Sequence, residues 1–302
     1  MVQIDAISYT EPDARGGVLR SGRMESWLSD IEFERQGMLR RMLKAVLVHP
    51  LANYMPAGVL RAVLRITKSE LAAANWQDPG GWQSMVISYE GRPTQIADKV
   101  LVGGGTMPMA LRNRRRLAAR VLARLIDQCG DEPVHVLCLG AGPGHVITDA
   151  MVQAHRQSVA TLVDLSSDAF DYGRRLAETK SLSDRVRFVE GDVREIRRML
   201  EHPPDVVKML GICEYLTDEQ ITDIAAAVAQ VMPLGSPVVF NSLSKAHHTD
   251  RFFRRVFGLH MNHRSPEHLQ GLMARAGFGD FELHREPLGV YHVVVGRRLV
   301  KP

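Results

Sequence analysis

Apolar residues change their spacing part-way along this chain. Between residues 24 and 76 they recur at helical intervals: Leu28 and Ile31, then Met38, Leu39, Met42, Leu43 and Val46, and later Val59, Leu60, Val63 and Leu64. Pro50, Pro56 and Pro79-Gly80-Gly81 cut this half into short helices, and Gly103-Gly104-Gly105 precedes a longer one. On that longer helix Leu111, Leu117, Val121, Leu122, Leu125 and Ile126 share a face, while Arg112, Arg114, Arg115 and Arg116 crowd its first turns. Gly130 stands where a helix stop belongs. From residue 134 the texture becomes short apolar runs (134–139, 159–163, 186–189, 206–210 and 237–243) separated by helical patterns at 146–154, 168–178, 193–200 and 217–232. That alternation predicts a doubly wound α/β fold, a parallel sheet covered by helices on both faces. Thr217 and Gln220 form a capping-box pattern, and Ser265-Pro266-Glu267 reads as cap, first-turn proline and favourable first-turn charge. A helix over 267–276 then stops at Gly277, and two further runs, 280–284 and 290–296, are predicted as antiparallel neighbours.

Composition bounds the picture without naming a partner. A chain of 302 residues suggests two domains, placed here at 1–110 (helical) and 111–302 (α/β). Hydrophobic residues make up 45% and charged residues 24%, which excludes a disordered or fibrous chain. The net charge of +4 is too small an excess to mark a dedicated nucleic-acid binder. Apolar runs are broken well short of the ~18 residues that a bilayer span needs, so no membrane partner is expected. Residues 1–23 lack the apolar stretch of an export signal, and Cys129, Cys138 and Cys213 form neither a disulfide framework nor a metal-binding pair. A cytoplasmic location is the expectation.

The candidate chemistry lies after the first strand. Residues 134–139 run into Gly140-Ala141-Gly142-Pro143-Gly144-His145, the strand–glycine loop–helix arrangement in which backbone N–H groups approach a ligand closely. The glycines are spaced GxGxG, not the GxGxxG of the dinucleotide fingerprint, which favours a cofactor without a pyrophosphate. Asp164 ends the second strand, at a distance where a carboxylate accepts from both hydroxyls of a ribose. Gly191-Asp192-Val193 follows the third strand. There an Asp side chain and adjacent backbone suit the edge of adenine, or alternatively cap the helix that follows.

From about residue 112 to 298 the chain resembles the class I S-adenosylmethionine-dependent methyltransferases. The resemblance rests on the loop from Leu139 to Gly144, Asp164, Gly191-Asp192, Pro204-Asp205-Val206-Val207, Met232-Pro233-Leu234-Gly235 and Ala276-Gly277-Phe278 taken together. It implies a seven-stranded, mostly parallel sheet whose last strand is antiparallel, with S-adenosyl-L-methionine lying across the carboxyl ends of the first strands. It also implies cofactor contacts from Gly140, Ala141, Gly142, Gly144, His145, Asp164, Leu165, Gly191, Asp192, Val193 and Gly211. The N-terminal helices fall outside the resemblance and would serve as a cover building the substrate pocket. One arginine, Arg115, is taken as the partner of the cofactor's methionine carboxylate, and the rest of its cluster as a solvated face.

Methyl transfer to a neutral nucleophile disperses charge, so positioning and desolvation carry most of the rate, and a base is needed only for an acceptor that must lose a proton. The candidates on the acceptor side are Glu214 and Tyr215 after the fourth strand, and His247 and His248 after the fifth, with His260 and His263 nearby. Cys213 reads as packing, as do Phe252, Phe253 and Phe257. The Asn/Asp-Pro-Pro-aromatic motif of base amino-group methyltransferases is absent at 211–216, so a small-molecule acceptor, methylated at O, N or an activated carbon, is expected rather than nucleic acid. Three alternatives stay open: an RNA or protein acceptor docking on the arginines, transfer of the aminocarboxypropyl group from the same cofactor, and a non-catalytic binding protein. A homodimer roofed by exchanged N-terminal helices is compatible with the pattern.

Overall fold

The computed structural model describes residues 26–130 and 133–299; the 1–23 segment read above for an export signal lies outside them. Short helices come first: α1 (Met38–Leu43), continued by a wider π turn (Lys44–Val48) into α2 (His49–Tyr54), then α3 (Ala57–Ile66), α4 (Glu70–Gln77), α5 (Trp82–Glu90) and α6 (Ile96–Leu101). A long helix, α7 (Thr106–Gln128), leads into the alternating half. There β1 (Val134–Leu139), α8 (His145–Gln153), β2 (Ser158–Asp164), α9 (Phe170–Thr179), β3 (Val186–Glu190) and β4 (Val206–Met209) are followed by α10 (Asp218–Val231) and β5 (Pro237–Leu243). The chain closes with α11 (Asp250–Phe252), α12 (Pro266–Arg275), β6 (Phe278–Arg285) and β7 (Tyr291–Arg298).

The strands form one seven-stranded sheet in the order β3-β2-β1-β4-β5-β7-β6. The first five are parallel, and β7 runs antiparallel between β5 and β6. This is the expected mixed sheet. Continuous apolar runs form its centre because both faces are covered: Val136 and Cys138 of β1 pack with α7 and α8, whereas Leu137 and Leu139 pack with α10 and α12. The capping box at Thr217 and the Ser265 cap are both formed. The helical pattern at 193–200 is realised as a kinked 3-10 segment, Val193–Arg198.

The N-terminal helices share a third apolar cluster with the end of the sheet, where Leu64, Met107 and Leu111 meet Phe252, Val256, Phe257 and Tyr291. Asp98 of α6, 1% exposed, accepts from the Ser69 hydroxyl and the Glu70 N–H (2.5 and 2.7 Å) and so ties α6 to the start of α4. The division expected at residue 110 falls inside α7, which crosses it unbroken and packs against both α5 and α8. The apolar stripe of α1 and its π turn points away from the molecule: Met38, Leu39, Met42, Leu43, Val46 and Leu47 are 51–82% exposed. Among the described residues no helix is long and apolar enough to cross a membrane.

Candidate active site

Strand order reverses around β1, which sits between β2 and β4, and a crevice opens above their carboxyl ends. The glycine loop forms its floor. Gly140 has φ +55°, and a Cβ there would stand 1.9 Å from Ile212 Cγ2. Gly142, at φ +51°, faces open space, with only the Trp82 Cβ within 4.0 Å of a Cβ position. Its N–H donates to Asp164 Oδ2 (2.8 Å), and Asp164 Oδ1 accepts from the Ser166 N–H (3.3 Å). The carboxylate expected to hold a ribose thus also braces the loop, with lone pairs left over for two hydroxyls. Leu165, beside it, is 71% exposed. Ala141 is buried, and Gly144 takes φ +83° as the residue before α8.

At the end of β3, Asp192 serves as the cap of the Val193–Arg198 segment, accepting from the Arg194 N–H at 2.9 Å. The Arg194 guanidinium lies against both carboxylate oxygens and holds the carboxyl below the usual range. An adenine amine contacting this carboxylate would share it with that arginine. Met199 lies over Gly191, with its Cε 2.2 Å from where a Cβ would be. Val193 packs at the edge of the apolar cluster on the α10 face.

An aromatic wall rises on the other side of the loop. His145, the first residue of α8 and 5% exposed, lies between the rings of Tyr89 (5.5 Å) and Tyr172 (5.6 Å), and Tyr172 continues to Trp82 (5.7 Å). Burial, then the Arg115 cation, pushes the imidazole down to about 3, so it is neutral at physiological pH.

The arginine cluster differs from expectation. Arg112 and Arg114 are buried, 7% and 3% exposed, because α7 turns them toward distant acceptors. Arg112 makes a two-pronged pair with Glu34 (2.6 Å for each bond) and donates to the Ser88 and Val102 carbonyls. Arg115, expected at the cofactor carboxylate, is paired in the same fashion with Asp149 at 2.6 and 3.2 Å, and Lys180 shares that carboxylate. Burial alone would raise the Asp149 carboxyl; the two cations outweigh it and hold it below the ordinary range.

Arg114 reaches the crevice instead. Its Nη1 meets Glu214 Oε1 (3.2 Å), Nη2 donates to the Tyr89 hydroxyl (3.0 Å), and the guanidinium lies 4.5 Å over the Tyr291 ring. Asn241 links the same carboxylate to the backbone: its Nδ2 donates to Glu214 Oε1 (2.9 Å) and its Oδ1 accepts from the Gly211 N–H (2.8 Å). Gly211, at φ +81°, brings a Cβ position within 3.5 Å of Arg114 Nη2. Glu214 Oε2 and Arg114 Nε are both buried without a hydrogen-bond partner. Tyr215, 46% exposed, turns its hydroxyl toward Gly80 at the start of α5. Enclosure of that hydroxyl, though the ring is half-exposed, and the Glu214 charge raise the phenol.

The two histidines expected to move protons are placed elsewhere. His247 is fully buried with both ring nitrogens engaged, Nδ1 to the Thr249 hydroxyl (2.9 Å) and Nε2 to His263 Nε2 (3.0 Å). Burial and His263 push it down to about 4. His248, at φ +57°, lies beside His49 of α2 (5.3 Å). Neither hydrogen-bonds to the Glu214 cluster. Cys213 is buried, its thiol pushed up to about 12, in line with a packing role.

His145 and His247 set a pH dependence. Their folded values lie below the ordinary 6.5, so the unfolded chain takes up protons first, and their stabilisation is present above pH 6.5 and lost as pH falls toward 4. Between pH 7 and 5 each is expected to withdraw about 2 kcal/mol from the unfolding free energy. Urea melts of wild type and His247→Gln check this: the variant should lose that part of the slope, and parallel slopes would refute the assignment.

A cleft of about 590 Å³ adjoins this region at Trp82, walled by Gln77, Asp78 and Gln83 on one side and Ser167, Asp168 and Asp171 on the other. The crevice therefore joins a glycine loop, the Asp164 carboxylate that braces it and a buried charged cluster.

A family model described as "Putative methyltransferase" matches residues 108–298, from α7 to the last strand. The chain belongs to this methyltransferase family. This agrees with the resemblance to class I S-adenosylmethionine-dependent methyltransferases carried by the motifs of residues 112–298. The tRNA 5-carboxymethoxyuridine methyltransferase of Escherichia coli K12 is 28% identical over 105 residues, which is 35% of this chain. The match spans 39% of that relative's length. A Bordetella parapertussis structure described as a possible exported protein superposes with TM-score 0.63 and 16% identity, covering 73% of this chain and 80% of that one. The magnesium protoporphyrin IX methyltransferase of Synechocystis PCC 6803, solved with bound S-adenosylhomocysteine, gives 0.54 and 12%, covering 79% and 99%. These two share the fold.

Arg114, Tyr89, Tyr172, Trp82 and Asn241 were not picked out as site residues by sequence reasoning. Arg114 stood in a cluster whose members differ only in the helix face they occupy, and the aromatic residues come from two elements far apart in the chain, α5 and α9.

Proposed function

We propose that this enzyme transfers a methyl group from S-adenosyl-L-methionine to an O, N or activated C atom of a small-molecule acceptor. The observation that carries the reading is the enclosed cluster at the end of β4, where Glu214 Oε2 lacks a partner beside Tyr215; a cleft at Trp82, on the side of the glycine loop, has the volume of a small-ligand site. S-adenosylmethionine supplies a methyl group on a positively charged sulfur. The residues fit it: Gly142 leaves an open cradle, Asp164 offers carboxylate lone pairs to a ribose, and Trp82, Tyr89, His145 and Tyr172 wall the crevice. The chain's part is to orient the acceptor, exclude water and, for a hydroxyl acceptor, take its proton on Glu214 Oε2. Arg114 and Asn241 hold that carboxylate through its other oxygen.

The match to a tRNA enzyme favours a second reading, an RNA acceptor. The arginines suited to docking it are largely occupied: Arg255 donates to the Asn53 and Met55 carbonyls, Arg254 pairs with Asp250, and Arg251 stacks on Tyr54. An association with RNA that weakens steeply with salt would reverse the preference. Product mass separates methyl transfer from aminocarboxypropyl transfer.

Calorimetric titration with S-adenosylhomocysteine tests the cofactor assignment. Wild type is expected to bind, and Asp164→Ala to weaken binding by about 1–3 kcal/mol through lost hydrogen bonds. Absence of binding by wild type would overturn the assignment.

A further inference from the structure

Lys208 lies in the middle of β4, a central strand paired to β1 on one side and β5 on the other. Its strand neighbours Val206, Val207 and Met209 are fully buried, and Lys208 itself is only 4% exposed. An ammonium in such a place costs several kcal/mol unless something pairs with it. Among the described residues nothing does: no hydrogen bond or salt bridge reaches its Nζ. Burial lowers its pKa, and the ionisable groups that bear on it are Cys138, Tyr89, Arg114 and Asp164.

Register gives the height that the side chain reaches. Lys208 pairs with Cys138, two residues before Gly140, and two residues of strand rise about 6–7 Å, close to the length of a lysine stem leaning along the strand. The nearby cations are already taken: Arg114 by Glu214, Tyr89 and Tyr291, and Arg115 by Asp149. We infer that Lys208 binds the carboxylate of the cofactor's amino-acid end, the role that the sequence suggested for Arg115. The inference rests on the proposed use of S-adenosylmethionine and adds to it the residue that reads the amino-acid end. A strand lysine left unpaired by the protein keeps its bond for an anion that arrives with the ligand, and discriminates against nucleosides that lack one.

The test compares two probes, S-adenosylhomocysteine and 5′-methylthioadenosine, which lacks the amino-acid end. Lys208→Met is expected to lose at least tenfold in affinity for S-adenosylhomocysteine and to bind methylthioadenosine as wild type does. Asp164→Ala, by contrast, is expected to weaken both. Without ligand, Lys208→Met is expected to melt at or above the wild-type temperature, since a buried unpaired charge is removed. Lys208→Gln serves in its place should the methionine variant fail to fold. Binding of S-adenosylhomocysteine unchanged within twofold, or an equal loss for both probes, would overturn the role of Lys208 and leave the cofactor assignment standing. Wild type binding neither probe would overturn that assignment, and this role with it.

Discussion

Arg114→Met is expected to lower the unfolding free energy by about 3–5 kcal/mol, because it strands the Glu214 carboxylate in the interior. Both side chains are at most 4% exposed, and Glu214 would keep only the Asn241 amide on one oxygen. The adjacent phenols add to the loss, since the Tyr89 hydroxyl loses the bond donated by Nη2 and the Tyr291 ring loses the cation above it. The double variant Arg114→Met, Glu214→Gln removes both charges and should recover more than half of the deficit in urea denaturation. A double variant no more stable than Arg114→Met would show that the pair is not coupled as described.

Gly140→Ala carries the second large effect. The left-handed conformation costs an alanine about 1–2 kcal/mol, and forcing a methyl into packed surroundings typically adds about 1–3 kcal/mol. The obstacle is specific: the Cβ would stand 1.9 Å from Ile212 Cγ2. Relief can come only by moving Ile212 and the segment that carries Gly211, so affinity for S-adenosylhomocysteine should fall with stability. Gly142→Ala, where the same atom meets open space, should show the backbone cost alone. Adding Ile212→Ala to Gly140→Ala should reduce its cost to that of Gly142→Ala. Equal melting temperatures for Gly140→Ala and wild type would mean that the loop is not held as described.

The sheet was legible because its central strands are dry on both faces, and in a run such as 134–139 the half-buried His135 is the single polar interruption. The glycine loop was legible because its three glycines adopt positive φ, which few other residues tolerate. Orientation was not. Helical spacing identified α1 but gave no sign that Met38 and Leu39 face outward. The arginines of α7 are consecutive or nearly so, and what selects Arg112 and Arg114 for the interior are Glu34, Ser88 and Glu214, up to 100 residues away along the chain. Lys208 was hidden inside a run that otherwise reads as an apolar strand. Asp192 shows the opposite case, in which one local pattern served two readings, and the structure contains the helix cap.

The 23 residues of α7 form one unbroken helix from the arginines above the crevice to the underside of the sheet. Cover and sheet therefore share a stiff strut, and prying them apart as two jaws would require bending it. Traffic is left to the rim, where Trp82 meets Tyr172 and the Tyr172 hydroxyl meets Glu90. Whatever enters the crevice then passes side chains standing in a frame that stays put.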